Sequence, residues 1–400
     1  MRVAIAGAGA AGLTAAWWAA RQGAEVELLE SQKQPGRKIL ISGGGRCNVL
    51  PSELSEADFF TSGSRHVLRR LLRTWPLEEV RRWFEEELGI PLVLEEETGK
   101  LFPAAQRARP VRDRLAEAVR EQGARLHTGF RLERVERREE GFRLEAADGR
   151  RLEAGRLILA TGGCSVPSTG SDGHGYTLAA SLGHRLLPRY PALVPLTTKD
   201  AELRALAGIS VPVRWRALRD GRPVDAGEGP LLFTHRGFSG PAVLDASHHV
   251  VRNGAVLEVS WGAGDAAEWT GWLRGRARRA VERAVGDLLP RRLAALLVRR
   301  AGLRGAERCG NLDRGRLDRL LGVLTAFPLP VSGHEGYRTA EVTGGGIPLD
   351  EVRPSTLESR LCPGLFLCGE ILDLIGRIGG YNFHLAWITG RLAGEAAARP

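Results

Sequence analysis

The sequence predicts an α/β protein: a parallel sheet flanked by helices, opened in the middle by an inserted domain that is β-rich first and helical after. Three observations predict it. Residues 3–30 run through an apolar strand, a glycine-rich turn, a helix, a second strand and an acid, the order of a nucleotide-binding βαβ unit. Two more buried-type strands, at 157–160 and 365–368, lead into glycines far downstream. From Pro191 to about residue 340 the pattern changes to strand-like alternation and then to basic helix.

The first unit has a physical reason at each step. Val3, Ala4, Ile5 and Ala6 form the strand, and Gly7, Gly9 and Gly12 follow it. Gly7 lets the chain turn tightly, Gly9 lets backbone approach a pyrophosphate, and Gly12 lets the helix pack on the sheet. The helix of residues 11–22 offers N–H groups and partial positive charge at its start. It ends at Gly23, and strand 25–29 delivers Glu30, about 20 residues from the glycines, where a carboxylate meets a ribose hydroxyl.

Residues 31–38 read as a polar loop, followed by the run Ile39-Leu40-Ile41-Ser42-Gly43-Gly44-Gly45-Arg46-Cys47-Asn48. Helical periodicity marks 65–89 and 111–122, while 125–152 alternates like antiparallel strands with a turn at Asp148-Gly149. A short helix is expected over 176–182, strands over 211–218 and 229–234, strand-like texture to about 259, basic helix over 268–327, and a closing helix over 382–398. This order assigns 1–190 and 341–400 to one discontinuous nucleotide domain. The insert takes 191–340, β-rich over 191–262 and helical over 266–330.

The apolar fraction of 43% and charged fraction of 26% belong to a soluble globular chain. No apolar stretch approaches the ~20 residues of a membrane span, and the first strand leaves no leader ahead of it, so a cytoplasmic enzyme is expected. Five scattered cysteines form no C-x-x-C pair, and no Cys/His cluster has zinc spacing. Thiol–disulfide chemistry and a metal site are therefore not expected. Net charge is +10, and residues 273–321 hold fourteen arginines against five acids. An RNA partner on these helices stays open, against the simpler reading of an arginine-rich solvated face.

The chemistry follows from which dinucleotide is bound. Residues 157–163 resemble the strand and turn beside the bound dinucleotide in the glutathione-reductase superfamily. Gly364-Leu365-Phe366-Leu367-Cys368-Gly369-Glu370 resembles that superfamily's late strand ending in Gly-Glu. Gly379-Gly380-Tyr381-Asn382 then opens a helix where the flavin ring is expected, its dipole favouring negative charge on the reduced ring. FAD is thus preferred over a nicotinamide as the resident dinucleotide. No second G-x-G-x-x-G with strand and acid is visible, so NAD(P)H enters only as a transient electron donor.

Residues 36–48, the run Phe233-Thr234-His235-Arg236-Gly237-Phe238-Ser239-Gly240-Pro241, and Thr343-Gly344-Gly345-Gly346 with residues 379–387 together resemble the bacterial YhiN-like flavoproteins, a group that includes BaiN-type enzymes and aminoacetone oxidase. The resemblance spans essentially the whole chain. It implies a Rossmann-like, glutathione-reductase-type FAD domain interrupted by a β-barrel-like and helical insert, non-covalent FAD, and oxidoreductase activity. It also implies roles. Gly7, Gly9, Ala10, Ala11 and Gly12 would touch the pyrophosphate, Glu30 the adenosine ribose, and Arg37 and Lys38 the dinucleotide's length. Ser42, Gly45, Arg46 and Asn48 would line the flavin side, Thr161 and Gly162 the adenine half, and Gly369, Glu370, Gly380, Tyr381 and Asn382 the ribityl–isoalloxazine half. Arg377, just before the Gly-Gly-Tyr-Asn run, departs from the family pattern.

The catalytic group is unassigned, with Arg46, Asn48 and Tyr381 as candidates. Cys47 is read as a buried filler, His174 and His235 as loop histidines, and Glu370 as an orienting acid; Asp373 is a weaker candidate base. The activity expected is hydride transfer between flavin N5 and a small organic substrate. Oxidation with oxygen as acceptor, NAD(P)H-linked reduction of an activated C=C or C=O bond, and an RNA-associated flavoprotein all remain open. The insert is expected to roof the flavin.

Overall fold

The computed structural model describes residues 1–262 and 264–399. The chain divides into two compact units, Met1–Pro191 with Glu341–Pro400, and Ala192–Ala340.

The first unit begins with β1 (Arg2–Ala6), α1 (Ala10–Arg21) and β2 (Glu25–Glu30). The alternation of small and branched apolar side chains leaves β1 buried along Val3–Ala6, as a strand covered on both faces requires. The last two residues of the expected loop, Arg37 and Lys38, open a short helix, α2 (Arg37–Ile41), that continues into the run after it. The helical pattern over 65–89 is divided into α3 (Arg65–Arg73) and α4 (Leu77–Arg82), because Pro76 has no N–H to donate and suits only a helix start. Then come α5 (Ala108–Glu121), β3 (Arg125–Thr128), β4 (Leu132–Arg138), β5 (Gly141–Ala146), β6 (Arg151–Ala154), β7 (Arg156–Leu159) and α6 (His174–Ser181). β3 leaves the antiparallel run expected of 125–152: it pairs parallel with β2, while β4, β5 and β6 form their own antiparallel sheet.

In the second unit β8 (Ser210–Arg219) and β9 (Arg222–Phe233) form a long hairpin. The texture read as strand up to residue 259 is interrupted by a helix, α7 (Pro241–Asn253). Pro241 follows Gly240 at its start and Gly254 in the left-handed region closes it, both ordinary helix punctuation that the alternation obscures. β10 (Val256–Trp261) pairs with β8, and short segments complete a seven-stranded antiparallel sheet with two edges. The basic stretch is helical as expected: α8 (Ala266–Arg274), α9 (Val281–Gly286), α10 (Arg291–Arg300) and α11 (Arg314–Thr325). Asp265 and Glu268 cap α8 reciprocally. Trp215, Trp261, Trp269 and Phe233 fill this unit's core, with Phe233 stacked on Trp261 at 5.9 Å.

The chain returns to the first unit through β11 (Val342–Gly346), β12 (Leu365–Leu367) and α12 (Tyr381–Ala398). The central sheet has the order β12-β7-β1-β2-β3, parallel throughout. Helix α12 lies close on α1, because Gly390 and Gly394 face the carbonyl oxygens of Ala11 and Ala15 with no room for a Cβ. An edge-to-face aromatic cluster, Trp17, Trp18, Trp75, Trp83, Phe84 and Trp387, ties α1, the α3–α4 corner and α12 together. Each such ring pair adds about 1 kcal/mol beyond burial.

Candidate functional site

The glycine turn is built as the spacing requires. Gly7 sits at φ +100°, and a Cβ on Gly12 would overlap the Gly7 carbonyl oxygen. Gly9 differs: its backbone is extended, and a Cβ there meets nothing within 4 Å. That is open space above the start of α1, which no side chain caps. The N–H groups of the first turn therefore face a free volume with the helix dipole behind them.

Glu30 ends β2 and is buried. One oxygen accepts the Ala8 N–H at 2.9 Å and the other the Gln32 N–H at 2.8 Å. Burial pushes its carboxyl above the ordinary glutamate value, and these two N–H groups oppose the shift. The acid thus holds the glycine turn as well as standing at the strand end.

Far-separated motifs meet beside this turn. Lys38 Nζ lies 2.6 Å from Glu370 Oε2 and also donates to Ser165 Oγ. Ser165 donates to Glu370 Oε1 at 2.7 Å, which also accepts the Thr343 N–H at 3.0 Å. Thr343 Oγ1 accepts the N–H groups of Cys164 and Ser165. Gly163 is packed so closely here that a Cβ would strike Thr343 and Glu370. Neighbouring Thr161 Oγ1 and Ser171 Oγ are buried hydroxyls with no hydrogen-bond partner. Two orphaned hydroxyls at one turn are a place for a polar ligand group, since leaving each unmet costs about 1–3 kcal/mol.

The glycine run before Arg46 is a second stretch of glycine-dependent backbone. Gly43, Gly44 and Gly45 have φ of +55°, +67° and +86°, conformations that side-chain-bearing residues avoid. All three are exposed. Ser42 Oγ is occupied with the Ile39 carbonyl at 2.7 Å. Cys47 is fully buried and burial pushes its thiol up to about 12, so it is a filler and not a nucleophile. Asn48, with its amide nitrogen toward the Leu50 carbonyl, accepts the Gly380 N–H at 3.1 Å. This docks the loop on the start of α12, which no side chain of its own caps.

Other expected residues are engaged elsewhere. Arg46 bonds Glu95 at 2.8 Å and lies 4.0 Å over the Phe102 ring, and that guanidinium holds the Glu95 carboxyl below its usual value. Arg37 bonds Gln32. Asn382 spends its amide on the Gly376 N–H and the Gly376 and Arg377 carbonyls, closing the loop before α12. Tyr381 sits edge-on to Phe59 at 5.6 Å. Asp373 is buried and accepts from the Ser62 N–H at 2.8 Å and from the hydroxyls of Thr61 and Ser62, a loop clasp with no exposed base. Arg377 donates its backbone N–H to the Asp58 carbonyl and its guanidinium lies over Phe60. His174 stands at the start of α6 and His235 in a loop whose carbonyl Arg204 holds.

Sequence reasoning misses His384. It is fully buried in the first turn of α12, both ring nitrogens lack hydrogen-bond partners, and burial lowers its pKa to about 4. Its signal was a polar residue in register with buried Trp387 and Ile388 on one helix face.

Among the described residues no helix is long and apolar enough to cross a membrane. The chain is 33% identical over 99% of its length, and 99% of the relative's, to the 3-dehydro-bile acid delta(4,6)-reductase of Clostridium scindens. It is 32% identical to the ribosomal RNA dihydrouridine synthase of Haemophilus influenzae, covering 96% of this chain and 95% of that one. In fold it is similar to the 3-ketosteroid delta1-dehydrogenase of Sterolibacterium denitrificans, with a TM-score of 0.54, 13% identity and 99% of each chain covered. The profile described as HI0933-like protein Rossmann domain matches residues 1–396, and with these full-length relatives it shows that the chain belongs to the HI0933-like family.

Proposed function

We propose that this protein is an FAD-dependent reductase that saturates an activated carbon–carbon double bond. The observation that carries the reading is the pair of helix starts, α1 at Gly9 and α12 at Gly380, neither capped by a side chain of its own. The first suits a pyrophosphate and the second the pyrimidine edge of a flavin. The orphaned hydroxyls of Thr161 and Ser171 and the open space above Gly9 fit a dinucleotide in the same unit.

Bound there, FAD would supply a hydride from N5. The chain's own residues bind and orient. The first-turn N–H groups of α1 take phosphate oxygens. Lys38 and Glu370 fix the strand ends on either side, and the Asn48 amide sets the loop against α12. Thr161 and Ser171 donate or accept where they now have no partner. The hydride goes to one carbon of the double bond and a proton from solvent to the other, since no group in this set is placed as a general acid.

The direction of reaction is argued from the relatives. A delta(4,6)-reductase and a dihydrouridine synthase are both named for adding hydrogen across a ring double bond. NAD(P)H is the transient donor in this reading. A uracil ring within RNA is the substrate the second unit favours over a free steroid. Arg274, Arg278, Arg283, Arg291, Arg304 and Arg308 are exposed, and their guanidinium groups have no carboxylate partner among the described residues. Exposed arginines without a neutralising carboxylate bind phosphate.

The test is anaerobic mixing of the purified yellow protein with NADH or NADPH, followed by addition of ribosomal RNA transcript or a 3-oxo-4,6-diene steroid. Bleaching by the nicotinamide and recovery of colour on RNA, with two hydrogens gained by a uridine, is expected. Recovery on the steroid alone would replace the RNA reading, and a colourless protein that takes up no FAD would overturn the whole.

A further inference from the structure

We propose that the inserted unit carries a divalent transition-metal site, of zinc type, formed by Asp225, His248 and His249. One ring nitrogen from each histidine and a carboxylate oxygen lie within 4.8 Å of one another. Two imidazoles and a carboxylate are a borderline N/O donor set, suited to Zn²⁺, and three protein ligands leave a fourth position for water.

Three features of local structure aim these side chains together. Asp225 lies on β9 opposite Ala217, at the register shift in the β8–β9 hairpin, and a bulge re-aims the neighbouring side chain. Helix α7 buries His248 and His249 alongside Ala242, Val243, Ala246 and Ser247, whose hydroxyl is hydrogen-bonded. Aliphatic residues would pack there without the cost of burying polar rings. The two imidazoles lie against each other, centroids 3.9 Å apart.

The hydrogen bonds define the ligand atoms. His248 Nδ1 is 2.8 Å from the Asp245 carbonyl oxygen. A carbonyl only accepts, so Nδ1 carries the proton and Nε2 of this buried ring carries the lone pair. A ring N–H held by a backbone carbonyl is the usual outer support of a metal-bound histidine. His249 Nε2 lies 2.9 Å from Asp225 Oδ2, and Oδ1 accepts the Ala226 N–H. A metal ion would take the place of the proton shared by His249 and Asp225, and that proton would leave to solvent on binding. His249 and Asp225 keep 10% and 17% of their side-chain surface exposed, which admits the ion and a water ligand. The ion would clasp the bulged hairpin to α7.

The test uses full-length protein stripped with EDTA and titrated with Co²⁺, then with Zn²⁺ as competitor. One equivalent per chain is expected, with a visible d–d band that Zn²⁺ abolishes and a proton released on binding. Asp225→Asn and His248→Gln should each weaken binding by roughly 100-fold, at or beyond the loss seen for outer supports alone. His66→Ala, an exposed histidine of the other unit, should leave it unchanged. Zn-edge X-ray absorption of the wild type reads two imidazoles directly and needs no variant to fold. Absence of a d–d band at saturating Co²⁺, a band that survives both substitutions in folded variants, or a Zn²⁺ shell without imidazole would overturn the site.

Discussion

Lys38 Nζ lies 2.6 Å from Glu370 Oε2, joining side chains 332 positions apart. The insertion separates them in sequence, yet both serve the strand ends of one parallel sheet. Ser165 bonds both partners, so the pair is a small network and not an isolated surface bridge. Lys38→Met should cost about 2 kcal/mol, the scale of a charge-assisted hydrogen bond in a part-buried setting. Glu370→Gln should cost less, because an acceptor oxygen remains. Urea unfolding of both variants and of their combination checks this. Losses that add to within about 0.5 kcal/mol would show that the two side chains do not act together.

Gly9 and Gly12 belong to one motif but should fail in different ways. A Cβ at Gly12 meets the Gly7 carbonyl oxygen, and backbone cannot move aside cheaply, so Gly12→Ala should lower stability by about 1–3 kcal/mol. Gly9 has an extended backbone and open space around its missing Cβ. Gly9→Ala should leave the melting temperature of the flavin-free protein unchanged and cut FAD affinity by roughly tenfold or more. Equal FAD affinity in wild type and Gly9→Ala would remove the phosphate from this turn.

His384 makes stability depend on pH in a stated window. Burial lowers its pKa from 6.5 to about 4. Between those values the unfolded chain binds the proton and the folded chain does not, so this contribution is intact above pH 6.5 and is lost as pH falls toward 4. The loss is on the order of 3 kcal/mol at the acid end. His384→Leu should flatten that slope, and because both ring nitrogens lack partners it should not destabilise the flavin-free protein at pH 8. Denaturant titrations from pH 4 to 8 read both; a variant with the wild-type slope would reassign the acid sensitivity.

Charge reversal at Arg274, Arg278 and Arg291 tests the RNA reading of the helical surface. The guanidinium groups of these arginines have no carboxylate partner among the described residues, whereas Arg279 is paired with Asp287 and Arg292 donates to the Ala205 carbonyl. The triple Glu variant should lose salt-dependent RNA binding, its log–log salt slope falling by about 0.7 for each phosphate contact removed. Reversal of Arg279 and Arg292 should disturb folding more and binding less. Unchanged RNA affinity in the first variant would point to a small free substrate.

The loop chemistry around α12 separates position from role. Asn382 makes three hydrogen bonds that close the loop ahead of the helix, so Asn382→Ala should cost about 2 kcal/mol in thermal unfolding. Asn48→Ala should instead loosen the loop against Gly380 and show first as weaker flavin retention on gel filtration. Both variants behaving alike would mean that the two amides serve one structural purpose.

The nucleotide half of the fold was legible because its signals are local. Strand, turn and helix periods of residues 3–30 each depend on neighbours a few positions away, and so does the glycine demand of a close turn. The antiparallel reading of 125–128 failed because pairing direction is set by the distant strand β2, not by alternation. Helix α7 was hidden because its start and stop residues also suit turns between strands. The site residues divide by the same reasoning. Gly7 declares itself by its left-handed backbone and Gly12 by close packing on the turn, while Gly9 is legible only from the spacing of the motif. The Lys38–Glu370 network, the lone buried ring of His384 and the meeting of Asp225 with His248 and His249 depend on contacts between elements far apart in sequence, and only packing in three dimensions decides them.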